Sequence, residues 1–188
     1  MAPLPPASER PLLATGARRR VAEVPRPTEL VTTLRRLGAE GKELVALFDA
    51  DAIAGERHLL SAWAHLGRSR GRGTERLRDR SAELALFVAG EDQLPRALAK
   101  VGVGPSTDRF VVVTERPRSL PPLLEAFGLV EEPSAYPRSP TRAMLARLGI
   151  TAEDLSAVPE SAWEGLVLER VALVDFGAAH GERPGRKS

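Results

Sequence analysis

The chain has 188 residues, 43% of them hydrophobic, and a formal net charge of +2, which allows one real core and leaves two full domains cramped. There is no cysteine, so disulfides, thiolate metal sites and cysteine nucleophiles are excluded. Arg, Glu or Asp interrupts every hydrophobic run well before the ~20 apolar residues that a membrane-spanning helix requires. The expectation is a soluble, cytoplasmic protein with no membrane partner.

In chain order, Pro3, Pro5, Pro6 and Pro11 without a long apolar stretch mark residues 1–17 as a disordered Pro-rich tail rather than a signal peptide. Residues 18–24 alternate as an edge strand does, and Pro25 and Pro27 break it. Leu30, Val31, Leu34 and Leu37 share one helical face, with Gly38 and Gly41 as the stop. The near-continuous apolar run at 43–49 predicts a central strand buried on both faces. Asp51 and Gly55 then lead into a helix over about 56–66, with Leu59, Trp63 and Leu66 on one face. Arg68, Arg70 and Arg72, interleaved with Ser and Gly, predict a flexible basic loop. Arginine supplies nearly all the positive charge, since the lysines are Lys42, Lys100 and Lys187 alone; its planar fork suits phosphates and stacked bases.

A short, exposed helix is predicted over 74–79, and residues 83–89 read as a second buried strand, with Gly90 opening the turn. Asp92 is the expected cap of a helix ending near Val101, which puts Pro95 in the first turn, where a missing N–H costs little. Residues 110–114 form a third apolar strand, and helices follow at 119–127 and 140–148 across a connector marked by Pro133, Pro137 and Pro140. Trp163, Leu166 and Val167 give 161–169 a helical face, residues 171–176 are strand-like, and 177–188 has the composition of a disordered basic tail. Alternating strands and helices predict an α/β fold, with a single domain over 18–176 and a mixed or largely parallel central sheet flanked by helices.

Few residues offer chemistry. His58 and His65 are seven apart, too far for an i,i+4 metal pair. Asp49 and Asp51 beside His58 are the one place where a small nucleotide- or metal-dependent enzyme is conceivable, although Asp51 suits amide capping equally well. The glycine-rich stretches at 67–73 and 102–107 lack the lysine of a phosphate-binding loop, and neither a nucleophile elbow nor a zinc-protease helix occurs. The residues therefore name no catalytic group, cofactor or metal ligand.

Two segments carry more information together: Asp51-Ala-Ile-Ala-Gly55-Glu-Arg-His58-Leu-Leu-Ser-Ala62, and the stretch from Glu83 through Gly90, Gln93 and Ala97 to Gly102. Their order and spacing resemble the paired hallmarks of the kinase-binding accessory subunits of KEOPS, the complex that installs threonylcarbamoyladenosine on transfer RNA. The likeness runs from about Val21 to Asp175 and is helped by Glu169-Arg-Val-Ala-Leu-Val-Asp175. It thins between Pro117 and Pro159, and Asp92 and Phe87 depart from the family's usual basic residue and tyrosine.

The resemblance implies a non-catalytic subunit without a cofactor, which binds the kinase/ATPase subunit and captures tRNA by its 3′ CCA end. Arg57, His58, Gln93, Arg96 and Lys100 are the candidate tRNA contacts, on the expectation that parallel strands bring both helix starts to one edge. Leu168, Val171 and Leu173 are the candidate kinase contacts. An interaction module without an RNA role is the other alternative.

Overall fold

The computed structural model describes residues 12–20, 32–38 and 43–180, excluding the side chains of 176–180. Four strands, β1 (Leu13–Arg19), β2 (Val45–Asp49), β3 (Arg109–Thr114) and β4 (Leu129–Glu131), form one sheet in the order β2-β3-β1-β4. Eight helices accompany it among the described residues: α1 (32–38), α2 (Glu56–Arg72), α3 (Arg80–Ala89), α4 (Leu94–Val101), α5 (Leu120–Ala126), α6 (Arg142–Arg147), α7 (Ala152–Ser156) and α8 (Trp163–His180).

The fold is α/β and one domain, but the expected mixed or largely parallel sheet is wrong: every strand pair is antiparallel. The error has a local cause. Residues 83–89 are not a strand but the body of α3, whose side chains are buried throughout. A short apolar run fits a buried strand and a buried helix equally well. Here the ends decide: the Asp79 carboxylate accepts from the N–H groups of Ser81 and Ala82 at 2.9 and 3.1 Å, and Gly90 closes the helix at φ +64°. The Leu-Ala-Leu content favours the same outcome. Residues 171–176 likewise continue α8, because the buried Trp163, Val167, Val171 and Val174 keep one helical stripe through the whole segment.

Other boundaries move too. The first strand begins at Leu13, inside the stretch expected to be tail, and lies within the sheet rather than at its edge. Residues 1–11 and 21–31, Gly41 and 181–188 lie outside the described residues. The 68–72 stretch is the last turns of α2, closed by Gly73 at φ +66°, with Arg70 and Arg72 at the negative end of the helix dipole. Residues 74–79 are not helical, since the N–H groups of Arg76 and Leu77 donate to the Glu83 carboxylate at 3.2 and 2.8 Å. Gln93, not Asp92, precedes the first turn of α4, and Pro95 sits in that turn as expected.

β2 is buried on both faces yet forms a sheet edge. Its Ala46 and Phe48 join the larger core, with Val111 and Val113 of β3 and the inner faces of α2, α3, α4, α6 and α8. Val45 and Leu47 point the other way, into a smaller core with Phe110, Val112, Leu123 and Phe127, against which Leu34 and Leu37 of α1 pack. One buried ion pair locks the helical layer to the sheet. The fully buried Glu115 side chain receives two hydrogen bonds from Arg80, at 2.7 and 2.6 Å, and a third from the Leu44 N–H at 2.7 Å. The Arg80 guanidinium also lies 5.6 Å from the Trp63 ring centre.

Glu115→Ala removes all three acceptor contacts and strands the buried Arg80 charge, so it is expected to cost about 3 kcal/mol in urea unfolding with an unchanged m-value. Arg57→Ala, which removes an exposed pair with Glu164, is expected to cost less than about 1 kcal/mol in the same measurement.

Candidate functional site

His58 lies in the first turn of α2 and is completely buried. Its Nδ1 accepts the Ala54 N–H at 3.1 Å, which leaves Nε2–H to donate to the Val88 carbonyl of α3 at 2.9 Å. Burial, the dominant cause, outweighs the Val88 bond and pushes the imidazole pKa down from 6.5 to about 4. His58 is therefore a neutral tie between two helices, and its place among surface tRNA contacts is corrected.

The remaining candidates are distributed as follows. Arg57 is exposed and paired with Glu164 at 2.7 Å. Gln93 and Arg96 are exposed on α4. Lys100 is half-buried, bridging Glu91 at 2.6 Å and the Leu148 carbonyl at 3.0 Å. The expected convergence of two helix starts at one sheet edge does not arise, because α4 follows α3 rather than a strand and the sheet is antiparallel. No hydrogen bond or ion pair among the described residues joins Arg57 or His58 to Gln93, Arg96 or Lys100. On α8, Val171 is a core residue, Leu168 is half-buried and Leu173 is 51% exposed.

The carboxylates of the enzyme alternative do not share a site with His58. Asp49 accepts from the Asp51 N–H at 3.0 Å, from the Thr107 hydroxyl at 3.2 Å and from Arg147 at 2.8 Å. Asp51 pairs with Arg109. The Asp49 carboxylate therefore organises the turn after β2 and holds the loop before β3, and Asp51 ties that turn to the first residue of β3. Among the described residues no three of His, Asp and Glu gather as metal ligands would.

The segments singled out in the sequence meet in the interior. The His58–Val88 bond joins the first to the second, and the Gly90 turn of the second lies against Arg170 of the third, where an added Cβ would stand 3.1 Å from the Arg170 Cβ. Sequence reasoning missed a groove of about 890 Å³ between α1, β2, α3 and α4. Phe48, Ala85, Leu94, Leu98 and Val103 give it an apolar wall, and Arg35, Arg70, Arg78 and Arg80 stand at one end. The arginine run was a legible signal for that end; the apolar wall comes from four separate elements and leaves no local pattern.

Because the His58 pKa lies below its unfolded value, the unfolded chain binds the extra proton first as pH falls. The stability due to neutral His58 is complete above pH 6.5 and is lost between pH 6.5 and about 4, by roughly 3 kcal/mol over the whole window. Urea unfolding across that range is expected to show this slope in the parent chain and a shallower one in His58→Asn.

No protein-family model matches the chain, and no curated protein matches it.

Proposed function

We propose that the chain is a non-catalytic accessory subunit of the tRNA threonylcarbamoyladenosine complex, docking its kinase/ATPase subunit and helping to hold the 3′ end of tRNA. The observation that carries the reading is the use of the motif residues. His58 and Asp49 are committed to internal bonds and Asp51 to an exposed pair with Arg109, and the three segments behind the resemblance pack on one another through His58–Val88 and Gly90–Arg170. With those groups occupied, function rests on the groups that remain exposed.

Two surfaces suit that role. Leu173, 51% exposed on α8, supplies an apolar anchor for a protein partner. Gln93 and Arg96, exposed on α4, supply a hydrogen-bonding amide and a cation for unpaired bases and phosphate. His58 has no part in the contact, and Lys100 reaches it only by leaving Glu91. The residues favour this over the enzyme alternative, which needs Asp49, Asp51 and His58 to converge.

The test is co-elution of the purified full-length chain with the kinase subunit from the same source. A stable complex is expected, weakened at least tenfold by Leu173→Asp and left unchanged by Val130→Asp, which alters an exposed residue of the edge strand β4. Absence of a complex with the parent chain overturns the subunit assignment.

A further inference from the structure

The ladder geometry shows what the floor of the large groove offers. In an antiparallel pair, the N–H and C=O groups of alternate residues point to opposite sides of the strand. Glu115 donates its N–H to the Leu44 carbonyl at 3.3 Å, which sets the phase: Leu44, Ala46 and Phe48 turn their polar groups toward β3. Val45 and Leu47 turn theirs away from it. The Val45 N–H confirms the phase by donating outward to the Ser81 hydroxyl at 3.3 Å. Leu47 has no such partner among the described residues, although the residue as a whole is only 6% exposed, so that an added strand must enter from the groove it lines. A buried residue with an unmatched N–H and C=O on an edge strand is an open ladder position.

The walls complete the description. Leu34, Arg35 and Gly38 of α1 stand on one side of the β2 edge, and Ala82 and Ala85 of α3 with Leu94 and Leu98 of α4 stand on the other. Leu98 is 44% exposed. The Ser81 bond fixes the start of α3 at the Val45 end, and Arg35, 3.5 Å from Asp79, lies there too. Arg80 is neutralised by Glu115, whereas Arg70 and Arg78 have no carboxylate partner among the described residues, and the Arg70 Nε is buried without a hydrogen bond. The Asp49 end is different: Thr107 and Arg147 tie Asp49 to the loop after α4, and Gly102 and Val103 line the groove there. Glu43 and Asp79 also line the first end but are paired with Arg116 and Arg35, so Arg70 and Arg78 leave that end with an excess of positive charge while the other is apolar.

We propose that this groove is a strand-addition site, in which an extended peptide segment of a partner protein, acidic at one end and aliphatic at the other, pairs with the outer edge of β2. The Leu47 N–H and C=O supply the ladder bonds, Arg70 and Arg78 receive the acidic end, and Leu94, Leu98 and Val103 receive the aliphatic end. A five-residue strand offers an edge of about 17 Å, room for a segment of about that many residues. Arg96 and Lys100 occupy a different stripe of α4 from the groove-lining Leu94, Pro95, Leu98 and Ala99, so the site is independent of the RNA-binding and kinase-docking assignment and survives or fails without it.

The experiment uses the full-length chain and synthetic peptides of about eight residues, in which two glutamates precede or follow alternating Val and Thr. Companion peptides carry lysine in place of glutamate or backbone N-methyl groups at alternate residues. Fluorescence anisotropy reads affinity, and amide hydrogen exchange by NMR reads Leu47. Expected are binding of one glutamate peptide with Leu47 exchange slowed at least tenfold, and at least tenfold weaker binding of the lysine and N-methylated forms. Arg78→Glu, at an exposed position, should lower affinity for the glutamate peptide by a similar factor while leaving the unfolding midpoint unchanged. The proposal is overturned if neither glutamate peptide binds, if the N-methylated form binds as well as its parent, or if the Leu47 amide is already fully protected in the free chain.

Discussion

The position of the helical layer depends on the carboxylate of Glu115. It stands just past the end of β3, where it receives Arg80 from the start of α3 and the Leu44 N–H from the chain entering β2. Removing two such charges from water costs several kcal/mol per ion, and the two Arg80 bonds and the Leu44 N–H offset that cost at the carboxylate. Its consequence is geometric. With the start of α3 fixed against β2 and β3, the other end of that helix presents the Val88 carbonyl to His58 and turns at Gly90 beneath α8. The Arg80 guanidinium next to Trp63 brings α2 into the same arrangement.

That chain of dependence explains which parts of the fold are readable from sequence. β2 and β3 are plain as apolar runs, and α2 is plain from Leu59, Trp63 and Leu66, because each of these elements settles its own burial pattern locally. α3 is not, because all seven residues from Glu83 to Ala89 are buried and no alternation survives to distinguish helix from strand. The signals that resolve it, Asp79 and Gly90, lie outside the run. α8 was obscured differently: reading 161–169 and 171–176 as separate units broke a stripe that is continuous over Trp163, Val167, Val171 and Val174. Strand direction follows from neither kind of pattern, since it is set by pairings between distant segments.

The site was legible in a more limited sense. His58, Gly90 and the segment ending at Asp175 stand out in the sequence, and they do meet, but as the inside of the frame rather than as a surface that touches a ligand. A histidine whose two nitrogens are both matched by backbone groups is distinctive in sequence for the same reason it is unavailable for recognition. Arg78 and Arg96, which have no ion pair among the described residues, and Leu173 belong to ordinary-looking stretches, and only their common exposure marks them.

The sheet order has a consequence for how the chain reaches this state. Every paired strand lies far from its partner along the chain: β2 and β3 meet across about sixty residues, and β1 meets β3 and β4 across about a hundred. Among the described residues there is no hairpin from which the sheet can grow, and even the shortest of these closures costs roughly 4 kcal/mol of chain entropy before its first ladder bond forms. The run from α2 through α4, by contrast, brings together helices joined by short connections. Such a topology places early order in the helical hairpins and makes strand pairing the slow, late and concerted event, so that removing β1 from the start of the chain deletes the partner of both β3 and β4 without touching the segment where folding begins.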